Sequence, residues 1–262
     1  MNTWPICNML WRIGDILPVL EQLEWCRQKG FDGIGVHASP GTPGAWQGIH
    51  PSAADRETRQ TLRNAISTFT LCEVHAPFAI ELTDDSLIDD IRQLEPITAL
   101  AHDIGARIVT VHAQSPTPEW AESMAVLDAD ASEKGLEIGL EIVSGFSAVQ
   151  SWGLPNIGVT LDVGHLYGMD EGKHLAPFGS IGGLVREIAP ILFHLHMHDV
   201  ASLDHVEIGT GCVDFRDLLT GLRDIGYKKG MCLEMNPDRV SPDGICRSMA
   251  SLRTLAEELD RS

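Results

Sequence analysis

Residues 194–199 read HLHMHD, three histidines at alternate positions closed by an aspartate. Alternation at period two is strand spacing, which turns His194, His196 and His198 to one face. On the inner face of a barrel, residues two apart in a strand are separated by roughly 6–7 Å along the strand. Metal–ligand bonds are only about 2.0–2.2 Å long, so one ion cannot collect all three rings. The stretch therefore predicts three different positions. His194 is expected as a hydrogen-bonded core residue one layer down. His196 is expected at the strand end, and His198 and Asp199 beyond it, facing substrate, a second metal or solvent.

Outward from this stretch the same strand signal recurs. Eight strands are predicted, at 4–9, 33–37, 70–75, 107–112, 137–143, 158–162, 193–198 and 231–235. Helical patterns fill the gaps at about 14–29, 54–67, 85–103, 117–133, 178–189, 214–225 and 243–259, with only a short one after Val143. Gly30, Gly105 and Gly226 stand where helices should end, and Pro96 predicts a kink or a second start in the third helix. Strands alternating with helices fit a closed barrel or an open doubly wound sheet. The chain has no GxGxxG and no GxxxxGK[ST] phosphate turn. Near-equal strands then favour an α/β chain of (β/α)8 TIM-barrel type, one domain over 1–262.

Composition narrows the function classes. The formal charge is −18, from 37 acidic against 19 basic residues, which repels a phosphate backbone and makes nucleic acid an improbable partner. No apolar run reaches the ~18 residues of a membrane span, and MNTWPICNML lacks the pattern of a secretory signal. The six cysteines form no CxxC pair, so reduced, mostly buried thiols and a cytoplasmic setting are expected.

Metal-capable residues close nearly every predicted strand. EVHAP supplies His75, VTVHA His112, GLEIV Glu141, TLDVGH Asp162 and His165, HLHMHD His196, and CLEMNP Glu234. In a barrel the C-terminal strand ends converge on one mouth, where such folds keep their active sites. Carboxylates mixed with imidazoles suit Mn²⁺, Zn²⁺, Co²⁺ or Mg²⁺, and the lack of thiolates argues against a soft site. The plainer readings are a rim carboxylate capped by backbone donors for Glu141 and Glu234, and a helix cap for Asp162.

Taken in order, VHAPF, IVTVHA, GLEIV, TLDVGH, HLHMHD, DHVEIGTGCVDF and CLEMN resemble the xylose-isomerase-like TIM-barrel superfamily. That group contains sugar (phosphate) isomerases and epimerases and the endonuclease IV family. The resemblance spans almost the whole chain. It implies one divalent ion at the C-terminal mouth, with more than one left open, and the ligand set Glu141, Asp162, His196 and Glu234. Gly209 and Gly211 of the family loop read as backbone requirements. The resemblance also implies proton transfer on a small sugar or keto-sugar, phosphorylated or not, through a metal-stabilised enediolate with Glu141 and Glu234 as acid and base. Epimerisation, aldose–ketose exchange and dehydration of a keto-sugar all start this way and stay open. The alternative is an endonuclease IV-like phosphodiesterase, because His75, His112, His165 and His205 stand where that branch holds two further metals. Leu203 replaces the aspartate that branch has two positions before His205, although Asp204 is adjacent. A barrel that has lost activity and binds a metabolite is the third class.

Other residues carry less specific expectations. His165 is expected on a substrate hydroxyl, an extra metal or solvent. His75 and His112 are expected to orient substrate, support the ligands or simply pack. Trp46, in GTPGAWQGIHPSAAD, either covers a sugar face or anchors its loop, and Trp11 and Phe78 line the pocket. Arg216 is a salt bridge for a neutral substrate and an anchor for a phosphorylated one. Self-association is left open.

Overall fold

A computed structural model describes residues 4–168 and 170–261. Among the described residues nine strands are present: β1 (Ile6–Leu10), β2 (Gly33–His37), β3 (Leu71–His75), β4 (Glu81–Leu82), β5 (Ile108–Ala113), β6 (Glu137–Glu141), β7 (Ile157–Asp162), β8 (Leu192–Met197) and β9 (Met231–Leu233). Eight of them close a parallel ring, β1-β2-β3-β5-β6-β7-β8-β9 and back to β1. The two-residue β4, absent from the sequence reading, pairs with β5 outside that ring. The chain is a (β/α)8 TIM barrel, and the predicted strands match the observed ones to within a few residues.

The helices on the outside are α1 (Val19–Lys29), α2 (Arg56–Ile66), α3 (Leu87–Ile104), α4 (Ala121–Lys134), α5 (Phe146–Trp152), α6 (His165–Gly168), α7 (Ile181–Glu187), α8 (Phe215–Asp224) and α9 (Pro242–Arg261). Left-handed glycines end α1 and α3 as expected, at Gly30 and Gly105. Two expectations change. Helix α1 starts at Val19 rather than near 14, because Ile13 and Ile16 pair with each other and Pro18 is extended. Helix α3 runs through Pro96 as one element, so no second start occurs there. The short α6 and the 3-10 turns over 170–178 fill the β7–α7 connection, where HLYGMDEGKHLAPF offers too little apolar periodicity to announce them.

Most of the core lies between the sheet and its helices, where Val36, Val74, Val109, Val111, Leu140, Leu161 and Leu195 are buried. Inside the ring the apolar filling is small: Cys7, Met9 and Cys232 form a separate cluster. The rest of the interior is polar. Thr110 Oγ1 donates to Glu73 Oε1 at 2.6 Å, and the hydroxyls of Thr110 and Thr160 lie 3.0 Å apart. Gly139 makes room for this layer, since a Cβ there would sit 2.0 Å from Thr160 Oγ1. A buried polar layer in place of branched aliphatics is stable only when its members satisfy one another. All six cysteines are free thiols, with Cys7, Cys26, Cys72 and Cys232 buried. Among the described residues no helix is long and apolar enough to cross a membrane.

Candidate metal centre at the barrel mouth

Strand alternation carries the polar interior upward to the mouth. Glu73 and His75 share the inner face of β3, His194 and His196 that of β8, and Cys232 and Glu234 continue the inner row of β9. Glu73 links two rungs of this ladder. Its Oε2 accepts from His194 Nε2 at 2.9 Å and its Oε1 from His196 Nε2 at 2.6 Å. A carboxylate only accepts, so His196 carries its proton on Nε2 and turns Nδ1 upward. That Nδ1 lies 2.7 Å from Glu234 Oε2 and 3.2 Å from Glu141 Oε2, off the line a ring N–H would take, and it makes no hydrogen bond.

Glu141 gathers four imidazoles. His75 Nε2, His112 Nε2 and His196 Nδ1 stand 3.2, 3.3 and 3.2 Å from its Oε2, and His165 Nδ1 stands 3.2 Å from its Oε1. The Nδ1–H of His75 donates to the Ala76 carbonyl at 2.6 Å, which aims Nε2 at the carboxylate. His75 and His196 therefore each turn their second nitrogen toward carboxylate oxygens. Only a proton or a cation can sit between such groups. Among the triads of ligand atoms within 4.8 Å that include these rings are His75–Glu141–His196 and Asp162–His196–Glu234, joined at His196. Of the expected ligand tetrad, Glu141 and Glu234 flank His196 Nδ1, and Asp162 joins His196 and Glu234 in the second triad.

Asp162 also has the capping role of its plainer reading, since its Oδ1 accepts from the His165 amide at 2.8 Å. His198 Nε2 approaches the same Asp162 oxygen at 2.9 Å. The His198 ring lies over Gly164, where a Cβ would come within 1.9 Å of it. His198 Nδ1 accepts from the His205 amide at 2.9 Å, and the two rings stack at 3.8 Å. Asp162, His165, His198 and His205 form a further group within 4.8 Å, and no group among the described residues holds all three histidines of HLHMHD.

Asp199 departs from expectation. It faces neither substrate nor solvent, because its carboxylate accepts from the amides of Val200, Gly209, Gly211 and Val213 at 2.8, 2.9, 2.8 and 3.1 Å. Gly209 takes φ +88°, and a Cβ on Gly211 would lie 2.1 Å from the Val200 carbonyl oxygen, so both are backbone requirements. Arg216 pairs with Glu258 on the exposed helical surface. Trp46 joins Trp11 and Phe78 around His37. The sequence reading passed over Glu73 and His37 as site residues. Their signals were present: Glu73 precedes His75 by one strand period, and His37 ends β2 as His75 ends β3.

Burial pushes the Glu141 carboxyl up, but the four imidazoles around it hold it well below the usual carboxylate range. Glu234 is likewise brought down to about 2, its burial outweighed by His196. Asp162 is lowered against its burial by His198 and His165. The imidazoles respond in kind. Burial opposes charging of His196, yet Glu234 and Glu73 raise it well above its ordinary value. Asp162 and Glu141 lift His165 to about 10 despite its burial. His37 moves the other way, since burial and the neighbouring His75 keep it neutral. Without a cation, the carboxylates of this mouth are balanced by imidazolium protons.

Residues 23–255 match the xylose isomerase-like TIM barrel family. A protein of Methanocaldococcus jannaschii is 26% identical over 191 residues, covering 62% of this chain, and the chain spans 63% of that relative's length. Among solved structures, a D-tagatose 3-epimerase-like protein superposes with TM-score 0.72 at 18% identity, covering 98% of both chains. The zinc-bound IolI protein gives TM-score 0.73 at 15% identity over 97% of this chain and 98% of its own. D-psicose 3-epimerase crystallised in the presence of D-fructose gives 0.73 at 14% identity over 96% and 99%. At such identities these structures share a fold. The family match over residues 23–255 and the closed eight-strand barrel lead to one conclusion: the chain belongs to the xylose isomerase-like TIM barrel family.

Proposed function

We propose that this protein is a divalent-metal-dependent isomerase or epimerase of a small keto-sugar. The observation that carries this reading is the buried, unpartnered His196 Nδ1, turned between Glu141 and Glu234 while Nε2 is held by Glu73. Glu141, Asp162, His196 and Glu234 would hold the ion, and such a set suits Mn²⁺, Zn²⁺, Co²⁺ or Mg²⁺. When bound, the ion supplies Lewis acidity to a carbonyl oxygen and its neighbouring hydroxyl, acidifying the adjacent C–H. Glu141 and Glu234 reach His196 from β6 and from the end of β9. Both carboxyls are lowered and so are ionised at neutral pH. One, as carboxylate, takes the proton from carbon, and the other gives a proton back after it has itself been protonated by a neighbouring imidazolium or by water. Return to the opposite face gives an epimer, and return to the neighbouring carbon gives the aldose–ketose pair. The 3-epimerase neighbours and the zinc-bound IolI protein support this reading in kind.

A second reading, an endonuclease IV-like phosphodiesterase with more than one ion, rests on the Asp162–His165–His198–His205 group. His198 narrows it: Nδ1 accepts from the His205 amide, so only Nε2, 2.9 Å from Asp162, is left for an ion. Elemental analysis should find about one equivalent of metal per chain, lost in Glu234→Gln. Incubation with short keto-sugars in D₂O should place deuterium on the carbon beside the carbonyl. About three equivalents of metal, with no exchange and with cleavage of an abasic-site duplex, would establish the second reading instead.

A further inference from the structure

The N-terminal end of the barrel, opposite the candidate metal centre, holds a cavity of about 380 Å³ beside the first residues of β5 and β6. Sites for small molecules run to about 300–1,000 Å³, so this volume suits a small ligand. Its charge runs against that of the chain. Lys and Arg number only 19 against 37 Asp and Glu, yet Arg107, Lys228 and Lys229 line it together. Glu137 is the single carboxylate among its described lining residues. Local order explains the gathering, because Arg107 leads into β5 and the two lysines lead into β9. The neighbouring cavity across Pro5 and Thr70 lacks the bias: its rim sets Asp32, Glu257 and Asp260 against Arg253 and Arg261.

The cations are available to a ligand. Arg107 is exposed, and its guanidinium has no hydrogen bond or ion pair among the described residues. Lys229 Nζ lies 2.6 Å from Glu137 Oε1 and 3.8 Å from the Phe193 ring centre, with 38% of its side chain exposed. A half-exposed ion pair contributes little and gives way to a more highly charged anion. The inner wall adds a second kind of group. His194, buried on the inner row of β8, lines the same cavity. Its Nε2 donates to Glu73 Oε2 at 2.9 Å, and no hydrogen bond engages its Nδ1 among the described residues. A neutral ring with its proton on Nε2 accepts at Nδ1. A ligand that satisfies all these groups brings negative charge and an O–H. A guanidinium fork and an ammonium both suit phosphate oxygens.

We propose that this cavity binds the phosphate group of a small metabolite through Arg107 and Lys229, with His194 Nδ1 accepting a hydrogen bond from a ligand O–H. The phosphate is either the free ion, which keeps a P–O–H at neutral pH, or an ester with a hydroxyl nearby. No residue of the proposed metal-ligand set lines the cavity, so the site stands apart from the keto-sugar reading.

Calorimetric titration of the metal-loaded protein with glycerol 3-phosphate, inorganic phosphate and sulfate tests the site. The phosphates should bind about tenfold more tightly than sulfate, which carries no O–H at neutral pH. Arg107→Gln and Lys229→Gln should each weaken phosphate binding by about tenfold, with metal content and deuterium exchange unchanged. Glu234→Gln should leave phosphate binding intact. Tighter binding of glycerol 3-phosphate would identify an ester as the ligand, and equal or tighter binding of inorganic phosphate the free ion. No binding of either phosphate, sulfate bound as tightly, or unaltered affinity in Arg107→Gln would each overturn the site. Binding lost in Glu234→Gln and kept in Arg107→Gln would also overturn it, since the anion would then sit at the mouth. Arg107-dependent binding without deuterium exchange would leave the site standing and sink the isomerase reading alone.

Discussion

Glu73 is the residue on which the candidate centre depends without belonging to it. Its two oxygens hold the Nε2 atoms of His194 and His196, and Thr110 donates to it from the side. This fixes the His196 tautomer and aims Nδ1 at Glu141 and Glu234. Supporting carboxylates of this kind typically contribute 10–100-fold to metal affinity, by about that order here. Glu73→Gln keeps the shape and removes the charge. The expected outcome is Mn²⁺ binding weakened by about 10–100-fold at unchanged stoichiometry, read by calorimetric titration. Unchanged affinity would show that the ring is oriented by packing alone. The sequence carried this residue two positions before His75, but a strand pattern cannot show which residue across the barrel it meets.

Among elements, the connection from β8 to α8 shows how a loop is built around one carboxylate. Asp199 replaces the missing ladder partners of four amides, and that arrangement presents His205, at φ +51°, over His198. In Asp199→Ala the buried amides of Val200 and Val213 lose their acceptor at about 1–3 kcal/mol each, while those of the exposed Gly209 and Gly211 can turn to water, so a stability loss of at least about 2 kcal/mol is expected. Hydrogen exchange at Gly209, Gly211 and Val213 should quicken before the barrel strands open. Protection that persists at those amides would contradict the account. The strands and outer helices were legible from periodicity, because burial on one or both faces writes itself into the chain. This loop was legible only as glycine positions, since what they serve is a side chain ten and twelve residues away from them.

For the whole molecule, the metal-free protein should have a stability optimum in mildly acidic solution. Glu73, Glu141, Asp162 and Glu234 are all depressed when folded, and Glu234 lies at about 2. Their stabilisation is present above unfolded values of about 3.9–4.3 and is lost as pH falls below them. His75, His165 and His196 are raised, with His165 at about 10. Their contribution is complete below about 6.5 and fades as pH rises through the folded values. His37 and His205 are held low by burial, so their contribution fades as pH falls below about 6.5, and calorimetric Tm of the metal-free protein should peak at about pH 6.5 and fall on both sides. A divalent ion, taking the place of those protons, should restore the alkaline side. A flat Tm across the alkaline range without metal would refute the charge balance proposed for the mouth.

The sequence by itself determined the barrel, the order of its strands and the convergence of carboxylates and imidazoles on one end. Those follow from periodicity and from residues placed at strand ends, both of which are local properties of the chain. It also separated the three histidines of HLHMHD by depth, because strand rise alone forbids a shared ion. Only the tertiary structure decided which groups face one another across the ring. It gave His196 its tautomer through Glu73 and committed Asp199 to its own loop. Those outcomes rest on angstrom-scale contacts between residues far apart in the chain, which barrel closure sets and no local pattern encodes.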